Sequence, residues 1–395
     1  GSKPSNVVRV QTLSPLALLL LAACGGGGGG TTVVVDPRGG NVTLSPLKNA
    51  FVFLDTSGDG AFTDGEPFAR TDDDGGYSIP QGASQQNATL IAISDELTSY
   101  ANGEAAPQIT LKAPATAKVV SMASTIYQQA VEDAEKTNTE PPTIEQVARL
   151  LGIDTAELST GQSLLDFNPN VDGASQISKS FQIANKSLAI ALDQITYSAE
   201  TTGGDKVSAE DAFAAALSSV TAVITQKITE TADDDVIDTD TFLENDLMSD
   251  SVTLATSKVK AIRVEKAAQA AVEDLDPNAT EAEKEQARDL AIAEETVLVD
   301  TIAEATNNLV INTANLGISL NKEKIEVLSA DQSFTAAEGA FSAIQAMSDQ
   351  LELALETAVN SAEALVAEAL AGVGGNTFTA EDLASQISSE NIQTA

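Results

Sequence analysis

Histidine and tryptophan are absent from this 395-residue sequence, cysteine occurs once and tyrosine four times. Without histidine there is no imidazole general base, no imidazole metal ligand and no imidazole pH switch. The lone thiol, Cys24, rules out an intrachain disulfide and a cysteine-based metal site. Cationic residues are also scarce. Lys plus Arg number 21 against 58 Asp plus Glu, and a net charge of −37 argues against nucleic acid or anionic headgroups as partners. Divalent cations or basic surfaces suit that charge better. Aromatic residues make up 4%, so the platforms that usually hold sugars are missing, while an apolar share of 43% still supplies material for cores.

What is present is ordered. Lys3 and Arg9 precede an apolar stretch from Leu13 to Leu21, too short for a stable spanning helix and suited to a signal segment. Ala22-Ala23-Cys24 follows it and resembles the bacterial lipobox, whose cysteine is diacylated and becomes the new N-terminus. That resemblance implies lipidation at Cys24 and membrane attachment through the lipid. Gly1-Ser2 in place of an initiating Met reads as an expression scar. Six glycines at 25–30 form a flexible tether. With no aspartate after the cysteine, the resemblance extends to lipoproteins sorted to the outer membrane or cell surface.

The segment Asp55-Thr56-Ser57-Gly58-Asp59-Gly60-Ala61-Phe62-Thr63-Asp64-Gly65-Glu66 puts oxygen-bearing side chains at positions 1, 3, 5, 9 and 12, with glycine at 6. A calcium ion takes six to eight oxygens, and this spacing supplies them from one loop. Short apolar runs separated by Gly, Pro, Asn and Asp surround it. They predict strands at 32–35, 50–54, 68–71, 76–79, 88–94 and 108–112.

The strand and loop Ala50-Phe51-Val52-Phe53-Leu54-Asp55, then Gly65-Glu66-Pro67, then Thr71-Asp72-Asp73-Asp74-Gly75-Gly76-Tyr77, resemble the B-type repeat and carboxypeptidase-regulatory-like modules of bacterial surface adhesins. The resemblance implies a small prealbumin-like β-sandwich over 32–116. Its ligands to Ca²⁺ would be Asp55, Ser57, Asp59, the Ala61 carbonyl, Asp64 and Glu66. Thr63 is the position-9 residue of a helical hand, whereas Asp64 suits a loop flanked by strands. Asp72, Asp73 and Asp74 read either as a second ion site or as an Asx turn before Gly75.

After Pro114 the period changes from two to about 3.6. A helix is predicted over 117–135, and Thr143 with Gln146 forms a capping box for a short helix ending near Gly152. Leu151-Gly152-Ile153 and Leu164-Leu165-Asp166-Phe167-Asn168-Pro169 weakly resemble the segments that follow such sandwiches. Beyond Ser175 the residues Ile177, Phe181, Ala184, Leu188, Ala191 and Ile195 trace a helix-packing seam. Further helices are predicted from Ser208 to about 228, over 252–275, from Glu281 to about 311, over 335–371 and after Thr379. The acidic stretch Asp233 to Asp240 reads as a second ion site or a solvated loop. Lys258, Lys260, Arg263 and Lys266 do not share one helix face and are expected to pair with acidic neighbouring helices.

The fold expected is therefore multidomain α and β. The parts are a signal segment (1–24), a tether (25–31), a β-sandwich (32–116), a short-helix connector (117–172) and an elongated all-α bundle (173–395). The function expected is a calcium-binding, lipid-anchored surface protein with a structural or adhesive role, open to self-association or to a surface protein or polysaccharide partner. The alternatives are an enzyme acting on glycans or peptides through paired carboxylates, and a periplasmic ligand-binding lipoprotein.

Overall fold

In the computed structural model, which describes residues 38–44, 46–80, 88–101, 103–171, 174–231, 238–332 and 334, nine short strands precede a series of helices. The strands are β1 (Arg38–Val42), β2 (Leu47–Lys48), β3 (Phe51–Asp55), β4 (Phe68–Arg70), β5 (Gly76–Ile79), β6 (Thr89–Ile93), β7 (Ser99–Tyr100), β8 (Thr110–Pro114) and β9 (Val119–Val120). They form a four-stranded sheet β4-β3-β6-β8, a three-stranded sheet β5-β1-β9 and a two-stranded ribbon β2-β7. The strand expected at 32–35, the helices expected at 335–371 and after Thr379, and the Cys24 segment all lie outside the described residues.

Side chains alternate across a strand, so Val52 and Leu54 of β3 face inward while Phe51, Phe53 and Asp55 face the other way. Val52 and Leu54 share a core with Leu90, Ala92, Leu111 and Ala113 from the same sheet. Val42, Tyr77, Ile79 and Val120 from the three-stranded sheet join it. Four strands lie outside the predicted set, the two-residue β2 and β7 among them, and β1 and β9 are the most informative. β1 contains Gly39-Gly40 and shows no apolar alternation, yet it sits centrally, antiparallel to β5 and parallel to β9. A Cβ on Gly40 would lie 2.4 Å from the Lys118 carbonyl and 2.3 Å from the Tyr77 hydroxyl, so only glycine fits there. β9 occupies the start of the helix predicted at 117–135. Val119 and Val120 pair with β1, and the helix begins instead at Met122 behind a Ser121–Ser124 capping box.

The helices are α1 (Met122–Thr137), α2 (Ile144–Leu150), α3 (Gln176–Gly203), α4 (Ala209–Glu230), α5 (Thr239–Thr241), α6 (Leu247–Glu273) and α7 (Glu281–Glu326). A single π-turn, Phe242–Asp246, joins α5 to α6. The capping signals at Thr143 and Ser208 operate as read: each side chain accepts an N–H three residues on. All six residues of the predicted α3 seam are buried. Cross-helix contacts fix the directions. Lys179 meets Glu326 while Ser198 meets Asn307, so α3 and α7 run antiparallel. Lys227–Asp246 and Lys258–Ser218 give the same relation for α4 and α6, and Lys260–Asp300 with Arg263–Glu295 for α6 and α7. The result is an up-down-up-down bundle of α3, α4, α6 and α7. α4 is long and apolar enough to cross a membrane by composition, but Ala212, Ala216, Val220 and Ile224 are buried in the bundle core.

α7 spans 46 residues, about 69 Å at 1.5 Å per residue, and continues well past the predicted end near 311. Polar residues such as Asn312 and Asn315 weaken the period there. Val310, Ala314, Ile318 and Ile325 are nevertheless buried, and this packing carries the helix onward.

The change of period after Pro114 marks a change of secondary structure, and the apolar core runs across it. The described strands and helices belong to one compact unit, and one cluster of buried side chains includes Val52 of the sheet, Ile126 of α1, Leu188 of α3 and Ile318 of α7. Polar groups cross the same boundary. The Asn185 amide on α3 donates to the Thr43 carbonyl and accepts the Met122 N–H at the start of α1, both at 2.6 Å. Gln182 and Asn170 both donate to the Thr43 hydroxyl. On the far edge of the four-stranded sheet, Thr125 accepts the Lys112 N–H and Ser124 donates to the Lys112 carbonyl, so α1 satisfies the open edge of β8.

Candidate functional site

The loop between β3 and β4 carries all six residues expected to hold an ion. β3 ends at Asp55, which alternation directs away from the inner core, and the chain then turns through Gly58 (φ 78°), Gly60 (φ 77°) and Gly65 (φ 102°). These left-handed glycines let the backbone curl around its own carboxylates. Asp55 Oδ1 accepts the Gly58 N–H at 2.6 Å and the Ser57 hydroxyl at 3.1 Å, and its Oδ2 accepts the Gly60 N–H at 2.8 Å. Glu66 reaches back from the far end. Its Oε1 accepts the N–H groups of Thr56 and Ser57, and its Oε2 accepts that of Thr63.

Asp55 is 4% exposed and Glu66 is 7% exposed, yet neither forms an ion pair among the described residues. Two neighbouring anions are thus withdrawn from water, compensated by backbone N–H groups and by the Ser57 and Thr56 hydroxyls. Burial pushes the Glu66 carboxyl up, but the N–H groups of Thr63, Ser57 and Thr56 outweigh it and hold the carboxyl below the ordinary glutamate value. Asp59 is exposed and turns onto the Ala61 N–H, which together with the Ser57 hydroxyl holds its carboxyl low. Ala61 and Asp64 are exposed, and Asp64 has no hydrogen-bond partner among the described residues. The carboxylates rest on backbone donors, and among the described residues no group of three or more acidic side chains is gathered closely enough to hold a metal ion.

The structure assigns other roles to the remaining acidic motifs. Asp72 Oδ1 accepts the N–H groups of Asp74 and Gly76, the Asx-turn alternative, and Asp73 pairs with Lys48. Of the acidic stretch near α5, Asp238 caps that helix and Asp240 pairs with Lys322, whereas Asp233, Asp234 and Asp235 lie outside the described residues. A cleft of about 380 Å³ lies between α2, α3, α5 and α7, but its charged groups serve one another. Lys322 meets Asp240 and Glu326, and Lys179 meets the Glu326 carbonyl.

The sequence reading overlooked two features beside the loop. Phe62, the one large apolar residue in it, packs on the sheet. Arg70 on β4 lies over the Phe51 ring at 5.4 Å and grips Asp95 through both terminal guanidinium nitrogens. Burial raises the Asp95 carboxyl, but the Arg70 hydrogen bond and the Leu97 N–H lower it further, to a net value below the ordinary one. A depressed folded value contributes stability above the ordinary carboxylate range, lost as pH falls through the folded value. The expected result is that Asp95→Asn lowers stability at neutral pH, and that the difference from the unaltered chain shrinks as the pH falls below the ordinary carboxylate range, which flattens the acid limb of the stability curve. Urea midpoints measured from pH 2 to 7 check it.

No protein family, curated protein or solved structure matches this chain.

Proposed function

We propose that this chain is a calcium-binding surface protein whose β region is a prealbumin-like module stapled by the Asp55–Glu66 loop, with a structural or adhesive role. The observation that carries the reading is the pair of buried carboxylates, Asp55 and Glu66, with no cationic side chain paired to them among the described residues. Buried anions of this kind are ordinarily paired or bound to metal. The donor set is chemically selective, because carboxylates, a hydroxyl and a carbonyl suit a hard cation of calcium's class. Asp55, Ser57, Asp59, the Ala61 carbonyl, Asp64 and Glu66 would hold the ion. The ion supplies positive charge to the loop and no reaction chemistry.

The lipobox-like Ala22-Ala23-Cys24 supports attachment to the outer membrane or cell surface through a lipid on Cys24, and the chain is read as non-enzymatic. Calorimetric titration with Ca²⁺ tests the ion site. One site is expected, lost in the Asp59→Asn, Glu66→Gln double variant; no binding by the unaltered chain refutes the reading. Size-exclusion chromatography with light scattering, with Ca²⁺ and then with a chelator, tests the role. Calcium-dependent oligomers support self-assembly, and a monomer in both conditions redirects the adhesive reading to a surface protein or polysaccharide.

A further inference from the structure

The middle of α7 departs from the acidic character of the chain. Residues 305–321 include no Asp, Glu, Lys or Arg, whereas 281–304 hold eight acidic and two basic residues and 322–326 hold two of each. Burial does not account for the gap. Asn308, Leu309, Asn312, Leu316 and Ser319 are exposed, Leu309 and Leu316 to 40% and 46%. Charged side chains are depleted at the centres of protein contact surfaces. In a chain of net charge −37, an uncharged surface is also where a second copy meets the least repulsion.

The apolar residues on this part of α7 are spaced symmetrically. Leu298, Leu309, Leu316 and Val327 follow one another at intervals of 11, 7 and 11 residues. At about 100° per residue each interval returns to within about 20° of the same direction, so the four share one side of the helix. Val327, the cap residue, is 76% exposed, and Leu298 is half-buried. The spacing reads the same from either end, about a midpoint between Asn312 and Thr313. A twofold contact requires a surface that matches itself in this way. With two copies laid antiparallel about that midpoint, Leu309 meets the second copy's Leu316, and Leu298 meets its Val327.

Charge selects the antiparallel arrangement. The overlap runs from 298 to 327, about 45 Å, so the acidic turns before it lie beyond the end of the other α7. A parallel pair would set those turns against themselves. One helix width of about 10 Å over this length buries on the order of 1,000 Å² across both copies, the low end for a specific contact. The dimer is therefore reversible and depends on concentration.

We infer that α7 pairs antiparallel with α7 of a second copy, through the uncharged face centred on Leu309 and Leu316. The pairing deepens the self-association part of the reading above by giving it a surface, and it needs no ion.

The experiment uses the full chain carrying Cys24→Ser, so that no native thiol interferes, in analytical ultracentrifugation over a concentration series with Ca²⁺ and with a chelator. A reversible dimer with the same constant in both conditions is expected. Leu309→Gln should weaken it about hundredfold, because each substitution acts twice in a twofold contact. Leu290→Gln, at a leucine 45% exposed on the same helix but outside the overlap, should leave it unchanged. Cross-linking reads the register. Leu309→Cys chains mixed with Leu316→Cys chains should join through a short bismaleimide more readily than either joins its own copy, whose thiol lies about 10 Å out of level. A monomer at every concentration, equal effects of the 309 and 290 variants, association only with Ca²⁺, or preferential linking of identical variants overturns the α7 pairing. A dimer that forms while no Ca²⁺ binds leaves the pairing standing and removes the calcium reading alone.

Discussion

Replacing Glu66 by alanine is expected to lower unfolding stability by about 3 kcal/mol and to erase its dependence on Ca²⁺. The side chain closes the loop at both ends, accepting from Thr56 and Ser57 on one oxygen and from Thr63 on the other. Hydrogen bonds to a charged acceptor contribute about 1.5–3 kcal/mol each, and water entering the opened loop recovers part of the loss. Independently, an ion that binds only the folded chain adds about 2.7 kcal/mol at a hundredfold excess over Kd. Urea unfolding of both proteins with Ca²⁺ and with a chelator separates the contributions. The unaltered chain should show a higher midpoint with Ca²⁺, and Glu66→Ala one low midpoint in both conditions. A calcium-dependent midpoint in the variant contradicts the assignment of Glu66 to the ion.

Asn185→Leu is expected to cost about 4 kcal/mol, although the residue lies far from the loop. Its amide is fully buried and serves two backbone groups, the Thr43 carbonyl and the Met122 N–H. The Met122 N–H lies in the first turn of α1, where no intrahelical acceptor exists. Leucine fills the same space, keeps water out and strands both groups, at about 1–3 kcal/mol each. Because the sheet and the bundle share one core, urea unfolding followed by far-ultraviolet dichroism should remain a single transition with a lower midpoint. Two separated transitions in the unaltered chain would show that the strands and helices unfold independently.

Local chemistry was the legible part of the sequence. Thr143 with Gln146 and Ser208 with Asp211 mark helix starts through contacts three residues apart, and the α3 seam shows in its spacing. β3 shows in its run of apolar residues. What was hidden depends on distant partners. β1 is a strand because Gly40 admits Tyr77 and Lys118, residues far along the chain. Val119 and Val120 are taken from the predicted helix by pairing with β1. In the candidate site, the oxygen spacing named the residues that share the loop. It did not reveal that Asp55 and Glu66 lie buried on backbone donors, or that Phe62 is inserted among three other phenylalanine rings. Those facts follow from how the loop closes over the sheet. The basic residues of α6 fell between the two cases. Lys260 and Arg263 meet acidic partners on α7 as expected, while Lys258 donates to Ser218 on α4.

The parallel pairing of β1 with β9 has a mechanical consequence. β1 is the first described strand and β9 leads directly into α1, so tension between the N-terminal side of the sheet and the helices pulls the two strands lengthwise in opposite senses. Lengthwise sliding loads the bonds Asn41 N–H to Lys118 O and Thr43 N–H to Val120 O together, whereas peeling would break them in turn. β1 is held on its other side by β5 as well. A chain tethered through its N-terminal end would meet a sustained pull with its strand pairing arranged in shear.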